Sequence, residues 1–403
     1  MSYCNFHPFV KNRPIDRWNI MSQPKKVLHI ITVSFVINHF FGKQFKYLSE
    51  KSGNAYFLAC SDSAEFEKWK DELDYTPFPV EITRSISPLK DLKAIYQLYR
   101  YIRKEKFDYV IAHTPKGGMV GMLSSFFAGV HNRVYFRHGI IYETSSGVKR
   151  MLLKNIDRLS GVLAKRVVCV SRGVQTITLR DHLNRADKNT ILGKGTCNGV
   201  DALGRFNPDR YTEAERNDLK KAYNITADDF VLGYVGRLVH DKGIDELVAA
   251  WQLVRNQRKN VKLLLVGPFE ERDSVSKVTQ DIIAQDATII HTGYVPDSGP
   301  FFSIMDTFVL PTYREGFPTV ALEASSMKLP VIITQATGCE EAIEDGLTGK
   351  FITHDLDSIV KAILYYVDAP DIKKLHGNNG RAFILQYFEQ SIVWDEISKK
   401  LGY

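Results

Sequence analysis

No run of about 18 apolar residues occurs in the 403-residue chain, so the sequence predicts no membrane-spanning helix. The most apolar early stretch, Val27 to Ile37, is too short to span, and His29 and Thr32 interrupt it. The N-terminus, with His7, Pro8, Pro14 and Asp16, lacks the apolar core of a signal peptide. Cysteine is sparse. Cys4, Cys60, Cys169, Cys197 and Cys339 form no CxxC pair, which argues against a zinc site or a disulfide framework and fits a reducing cytoplasm. No internal repeat or low-complexity segment stands out, nor does an Asp-x-Asp of the kind that holds a catalytic metal. With 44% hydrophobic and 25% charged residues, what remains is an ordinary globular composition of about two domains.

Charge is abundant but uneven. The first 200 residues carry 31 basic against 16 acidic side chains, and the remainder 22 basic against 30 acidic. A basic half implies a polyanionic partner: nucleic acid, anionic lipid or phosphates. A solvated basic surface is the alternative. Residues 1–24 differ from the rest and contain a second methionine, Met21, so they are set aside as an extension.

Strand-like and helix-like patterns then alternate. Val27–Val33, Ala55–Ala59, Tyr109–Ala112, Val134–Phe136 and Val167–Val170 read as strands, and Pro88 opens a long amphipathic helix to about Lys106. The series restarts with Phe230–Val235, Val261–Val266, Ile289–His291, Thr307–Leu310 and Val331–Thr334. Alternation of this kind predicts an α/β fold of two facing doubly wound, Rossmann-like domains with a cleft between them. The boundaries are placed at 25–205, a basic domain, and 206–385. The last stretch, 386–403, is a C-terminal helix expected to pack back towards the first domain.

Ligands of open α/β sheets bind at the carboxyl ends of strands. After Phe230–Val235 comes Gly236-Arg237-Leu238, with Lys242 five residues beyond the arginine. A glycine for close approach, a guanidinium fork, an ammonium and a helix start suit a diphosphate. A basic turn with Asp241 as a cap is the alternative. After Thr307–Leu310 comes Glu315-Gly316-Phe317-Pro318, with Glu323 eight residues after the first glutamate. The Gly-Phe-Pro insertion places Glu315 before a helix and Glu323 inside it. Two such carboxylates suit vicinal hydroxyls of sugar and ribose. A glycosidase pair or a structural turn are the other readings.

Taken in order, His113-Thr114-Pro115-Lys116-Gly117-Gly118, His138-Gly139, Val170-Ser171, Asn198-Gly199-Val200-Asp201, Gly236-Arg237-Leu238 with Lys242, Gly293-Tyr294-Val295, Glu315-Gly316-Phe317 through Glu323, and Glu344-Asp345-Gly346-Leu347-Thr348-Gly349 resemble family 4 of the retaining glycosyltransferases, with the two-domain GT-B fold. The resemblance runs from Lys25 to the C-terminus. Ser85–Leu92, with His113–Lys116 and His138-Gly139, also resembles a narrower branch that builds capsule, O-antigen and protein-glycan precursors on undecaprenyl diphosphate, including N-acetylgalactosaminyltransferases.

The resemblance implies a UDP-sugar donor, no cofactor and no metal. It gives Arg237 and Lys242, beside Gly236, to the donor diphosphate. Glu315 goes to the sugar hydroxyls, the backbone of Gly316 and Phe317 to sugar or phosphate, Glu323 to ribose, and the loop at Tyr294 and Val295 to the base. His138 would face the sugar's anomeric centre. His113, Lys116 and Glu143 are acceptor candidates, while Asn198, Glu344 and Asp345 are expected to shape loops. One segment departs from the family. Ser34–Gly42 is bulky where many members have a glycine-rich loop, so either it takes another path or it serves the acceptor.

Leu89, Leu92, Ile95, Tyr96, Tyr99 and Ile102 recur at helical spacing among Lys90, Lys93, Arg100, Arg103 and Lys104, and a second basic, apolar segment runs from Lys149 to Arg166. Such helices suit an anionic inner leaflet, or are core helices with a wet basic face. With the basic half and the narrower resemblance, the expectation is a cytoplasmic enzyme, peripheral on the inner face of the membrane, acting on an undecaprenyl diphosphate-linked acceptor. Rivals are a same-fold transferase with a soluble acceptor and a sugar-nucleotide epimerase. A nucleic-acid-binding protein is a third, although no stacking motif or helix-turn-helix supports it.

Overall fold

The computed structural model describes residues 23–85 and 87–403. Most of the set-aside extension, residues 1–22 with Cys4, lies outside the described residues. Seven parallel strands form the first sheet: β1 (Lys26–Ile30), β2 (Ala55–Cys60), β3 (Thr76–Pro79), β4 (Tyr109–His113), β5 (Asn132–Arg137), β6 (Arg166–Cys169) and β7 (Asn189–Thr190), in the order β3-β2-β1-β4-β5-β6-β7. Six form the second: β8 (Phe230–Val235), β9 (Val261–Val266), β10 (Ile289–His291), β11 (Thr307–Leu310), β12 (Val331–Thr334) and β13 (Gly349–Ile352), in the order β10-β9-β8-β11-β12-β13. Among the described residues every strand pair is parallel. The central strands are buried throughout, as β4, β11 and β12 show, because helices cover both faces.

In each sheet the order reverses beside the first strand, between β1 and β4 and between β8 and β11. These reversals leave crevices at the strand carboxyl ends. β3 was not apparent in the sequence. Its Thr-Pro-Phe-Pro forgoes two N–H donors, which a sheet tolerates at an edge, and β3 is the edge strand.

The chain returns to the first domain at its end. Val200 exchanges backbone hydrogen bonds with the returning segment 388–390, Val200 N–H to Phe388 O at 2.8 Å and Gln390 N–H to Val200 O at 3.2 Å. Helix Gln390–Leu401 then buries Trp394, Ile397 and Leu401 in the first domain's core, at about 1.5–3 kcal/mol for each such side chain. Asn198 accepts the Trp394 indole N–H at 2.8 Å, fixing the loop where the two crossings meet.

Candidate active site at the cleft

Both switch-point crevices face the same cleft, and glycines let the backbones meet there. A β-carbon on Gly316 would lie 2.6 Å from the His138 carbonyl carbon and closer still to its oxygen. Gly338, at φ +81°, allows the loop after β12 to run under Glu315, whose N–H donates to Thr337 O at 2.9 Å. Across the cleft, Thr337 donates to the Glu143 carboxylate at 3.0 Å, and Arg172 N–H donates to Glu341 at 2.5 Å. The domains are closed against each other along this line.

On the second domain, the loop after β8 carries Arg237 and Lys242, and each cation is paired. Lys242 Nζ sits 2.5 Å from Glu315 Oε1, and Arg237 pairs with Glu270, which follows β9. The β8 and β11 loops are stitched together by Arg314 to Asp241 at 2.9 Å and by Tyr313 N–H to Asp241 O at 3.0 Å. Asp241 therefore ties loops, and the helix Ile244–Gln257 starts from Gly243 with no side-chain cap. Tyr234, fully buried, donates to Arg237 O at 2.8 Å and shapes the turn beneath the arginine.

On the first domain, three imidazoles form a chain. His29 Nδ1 lies 3.0 Å from His113 Nε2, and His113 Nδ1 lies 3.0 Å from His138 Nε2. Burial lowers His29 to about 3 and, with the neighbouring rings, holds His113 well below the usual range, so both are neutral. A neutral imidazole has one donor and one acceptor nitrogen, so the tautomers of His29 and His113 are coupled, and that of His113 sets which role its Nδ1 plays towards His138. Phe40 stacks on His138 with centroids 4.3 Å apart and planes 5° from parallel. Directly before His138, Arg137 is wholly buried and bound to Asp157 at 3.0 Å, Thr178 at 2.9 Å and Asn184 at 2.9 Å.

Residues 46–195 match the family described as glycosyltransferase family 4, and residues 229–368 match glycosyl transferases group 1. The capsular polysaccharide biosynthesis glycosyltransferase CapM of Staphylococcus aureus is 30% identical over 375 residues, covering 93% of this chain and 96% of that protein. The chain belongs to family 4 of the glycosyltransferases. The UDP-Gal:alpha-D-GlcNAc-diphosphoundecaprenol alpha-1,3-galactosyltransferase of Escherichia coli is 27% identical to this glycosyltransferase over 77% of its length and 79% of the relative's. The crystal structure of Anabaena Alr3699/HepE in complex with UDP superposes with a TM-score of 0.77 at 19% identity, covering 94% of this chain and 99% of that one, and shares the GT-B fold.

The sequence-predicted residues of the glycosyltransferase fall into four groups. Lys242 pairs with Glu315 and Gly316 meets His138 across the cleft, while Arg237, paired with Glu270, lines the cavity beside Thr114 and Lys116. Glu323, inside helix Thr319–Ser326, instead lines a polar cavity of about 730 Å³ with Thr319, Asn198 and Arg205. Enclosure raises its carboxyl to about 7, against the opposing effect of Arg205. Tyr294 stands 76% exposed, while Val295 packs on the second core and Phe317 on both cores. Of the acceptor candidates, His113 belongs to the imidazole chain, Lys116 is held by Asp91 at 2.5 Å, and Glu143 is engaged with Thr337.

Glu344 and Asp345 shape the turn before β13, with Asp345 accepting Phe351 N–H at 2.9 Å. The literal Asp-x-Asp, Asp355-Leu356-Asp357, opens helix Leu356–Asp368. Among the described residues no group of three or more His, Cys, Asp or Glu is placed to hold a metal ion. The bulky segment after β1 takes its own path as Ser34–Val36 and Ile37–Phe40, with Ile37 and Phe41 in the core and Phe40 over His138.

Three participants escaped the sequence reading. His29 looked like an interruption of an apolar strand, and a lone polar residue in β1 was its only signal. Phe40 looked like bulk in an apolar segment. Glu270 lies 33 residues from its partner Arg237, and only its position after a strand-ending Gly-Pro marked it.

Proposed function

We propose that this enzyme transfers a sugar, N-acetylgalactosamine or another hexose or N-acetylhexosamine, from a UDP-sugar to an undecaprenyl diphosphate-linked saccharide, with retention and without a metal ion, at the inner face of the membrane. The observation that carries the proposal is the cation pair at the β8 switch point. Arg237 and Lys242 stand on one loop, each held by a single carboxylate that a diphosphate can displace. The activity for which the Escherichia coli relative is named supports the choice of donor carrier and lipid acceptor.

In this scheme Arg237 and Lys242 offset the charge developing on the leaving UDP. Lys242 exchanges Glu315 for phosphate, freeing Glu315 for sugar hydroxyls, and the Gly316 and Phe317 backbone contacts the sugar or phosphate. Glu323 accepts from the ribose, and Tyr294 and Val295 flank the base. His138 faces the anomeric carbon. The acceptor hydroxyl attacks from the side the leaving group departs, and its proton passes to a donor phosphate oxygen as the new C–O bond forms and the old one breaks. His113, Lys116 and Glu143 lie on the acceptor side.

The test is nucleotide release from a panel of UDP- and GDP-sugars in EDTA, with and without an undecaprenyl diphosphate-linked saccharide. Release that requires one UDP-sugar and the lipid acceptor supports the proposal. Release that requires a divalent metal, or a soluble acceptor in place of the lipid, overturns the corresponding part.

A further inference from the structure

Between the cleft and helices Pro88–Glu105, Pro115–Phe127 and Gly147–Leu163 lies a cavity of about 720 Å³ that the donor scheme leaves unused except at its lip. Its wall is apolar: Ile95, Met119, Leu123, Leu153 and Ile156. The helices Pro88–Glu105 and Gly147–Leu163 each pack on Pro115–Phe127, and the cavity opens on their cleft-facing side beneath residues 32–36. The wall is open to the outside as well. Leu92 lines the cavity and is 63% exposed, and on the same two outer helices Leu89, Val148 and Met151 are exposed too.

The lip facing the cleft is polar and charged, with Lys116 and Arg237 paired to the lining carboxylates Asp91 and Glu270 and Arg84 left as the surplus cation. Lys116 is fixed there by Asp91 and by Ser85 O at 2.9 Å, and Thr114 stands beside it. Arg84 lies with its guanidinium 5.7 Å over the Phe35 ring and, among the described residues, pairs with no carboxylate. Arg237 reaches the lip from the second domain. An apolar chamber whose lip at the reaction cleft carries displaceable ion pairs and the surplus Arg84, with an apolar exit, complements an anionic head joined directly to a long hydrocarbon chain. Lys90, Lys93, Lys149 and Arg150 on the outer helices suit an anionic bilayer surface around the exit.

We propose that this cavity receives the head-proximal isoprene units of a polyprenyl diphosphate acceptor. The diphosphate rests against Arg84 and Lys116, its saccharide faces His138 in the cleft, and the rest of the chain leaves past Leu92 into the bilayer. This deepens the transfer reaction proposed above and rests on it for the nature of the acceptor. It also gives Lys116 a role at the diphosphate instead of at the acceptor sugar.

The probes are farnesyl diphosphate and inorganic diphosphate, titrated against protein whose nucleotide site is saturated with UDP. Farnesyl diphosphate binds about tenfold or more tightly than inorganic diphosphate, a modest fraction of what burying several methylene groups allows. Met119→Trp and, separately, Leu153→Trp fill the chamber and remove that margin, while unchanged UDP affinity shows that the fold is intact. Arg84→Ala weakens both probes alike. Equal binding of the two probes by the wild type, or a margin that survives both tryptophans, overturns the cavity assignment. Lipid-dependent UDP release by the wild type is measured in parallel. Release that persists when the cavity result is negative leaves the transfer reaction standing, and its absence with every lipid acceptor sinks that reaction independently of the probe titration.

Discussion

Replacing Gly316 by alanine should separate catalysis from nucleotide binding. Ordinary contact for a β-carbon begins near 3.4 Å, yet at Gly316 it would meet the His138 carbonyl carbon at 2.6 Å, with the oxygen nearer still. The obstacle is backbone in the opposite domain and cannot rotate away. The two domains must therefore part by roughly 1 Å or more at the point where the Glu315 loop meets His138, and a misplacement of about 1 Å can cost on the order of a hundredfold in rate. The Arg237 and Lys242 loop lies wholly in the second domain, so UDP loses at most its Gly316 backbone contact and its affinity should fall by less than about tenfold, or about 1.4 kcal/mol, well short of the loss in turnover. The assay is kcat for acceptor-dependent UDP release beside a calorimetric UDP titration. A Gly316→Ala enzyme with near-normal kcat would refute the claim that this contact brings the site together. Equal loss of UDP binding and turnover would refute the claim that the contact acts across the cleft.

Glu270→Gln removes the carboxylate that competes for Arg237. The pair is half exposed, a class worth about 0–1 kcal/mol, so UDP should bind up to about fivefold more tightly, and weaker binding would show that Glu270 positions the arginine instead. Glu323, raised from its ordinary 4.5 to about 7 by enclosure, is protonated below that pH and accepts ribose hydroxyls fully only above it. UDP affinity should therefore rise as pH rises through about 7, and Glu323→Gln should flatten the profile; a wild-type profile without that rise contradicts the assignment. The same raised carboxyl lowers stability as pH climbs from 4.5 through about 7, because folding then opposes its ionisation. Arg137→Met strands the buried Asp157 carboxylate and should cost about 3–5 kcal/mol in denaturant unfolding, with Asp157→Leu in the same chain recovering much of it; a single variant as stable as the wild type refutes the pairing.

The fold was legible where the sequence alternates β-branched runs with glycine. Strands β8 to β12 have the bounds read from those runs, because Gly236, Gly267 and Pro311 stop them sharply. β3 and β13 were not legible: the first is written in prolines that only an edge permits, and the second follows a glycine turn that reads as loop. Glu315 before its helix and Glu323 within it followed from the Gly-Phe-Pro insertion. Their ending in different surroundings did not, because Lys242, which pairs with Glu315, arrives from a loop 73 residues earlier, and the segment 198–205 beside Glu323 comes from the interdomain crossing. The imidazole chain was hidden because its members are far apart in sequence. His29, His113 and His138 end or occupy separate strands, and only the parallel register of β1, β4 and β5 brings them into line.

The central claim is that protein cations, not a metal, stabilise the departing UDP. Turnover of Arg237→Ala with a lipid-linked acceptor, measured in EDTA and again with added magnesium or manganese, tests it most directly. The expected loss is on the order of a hundredfold or more, and neither metal restores it. Near-normal turnover in EDTA, or recovery when metal is added, would contradict it.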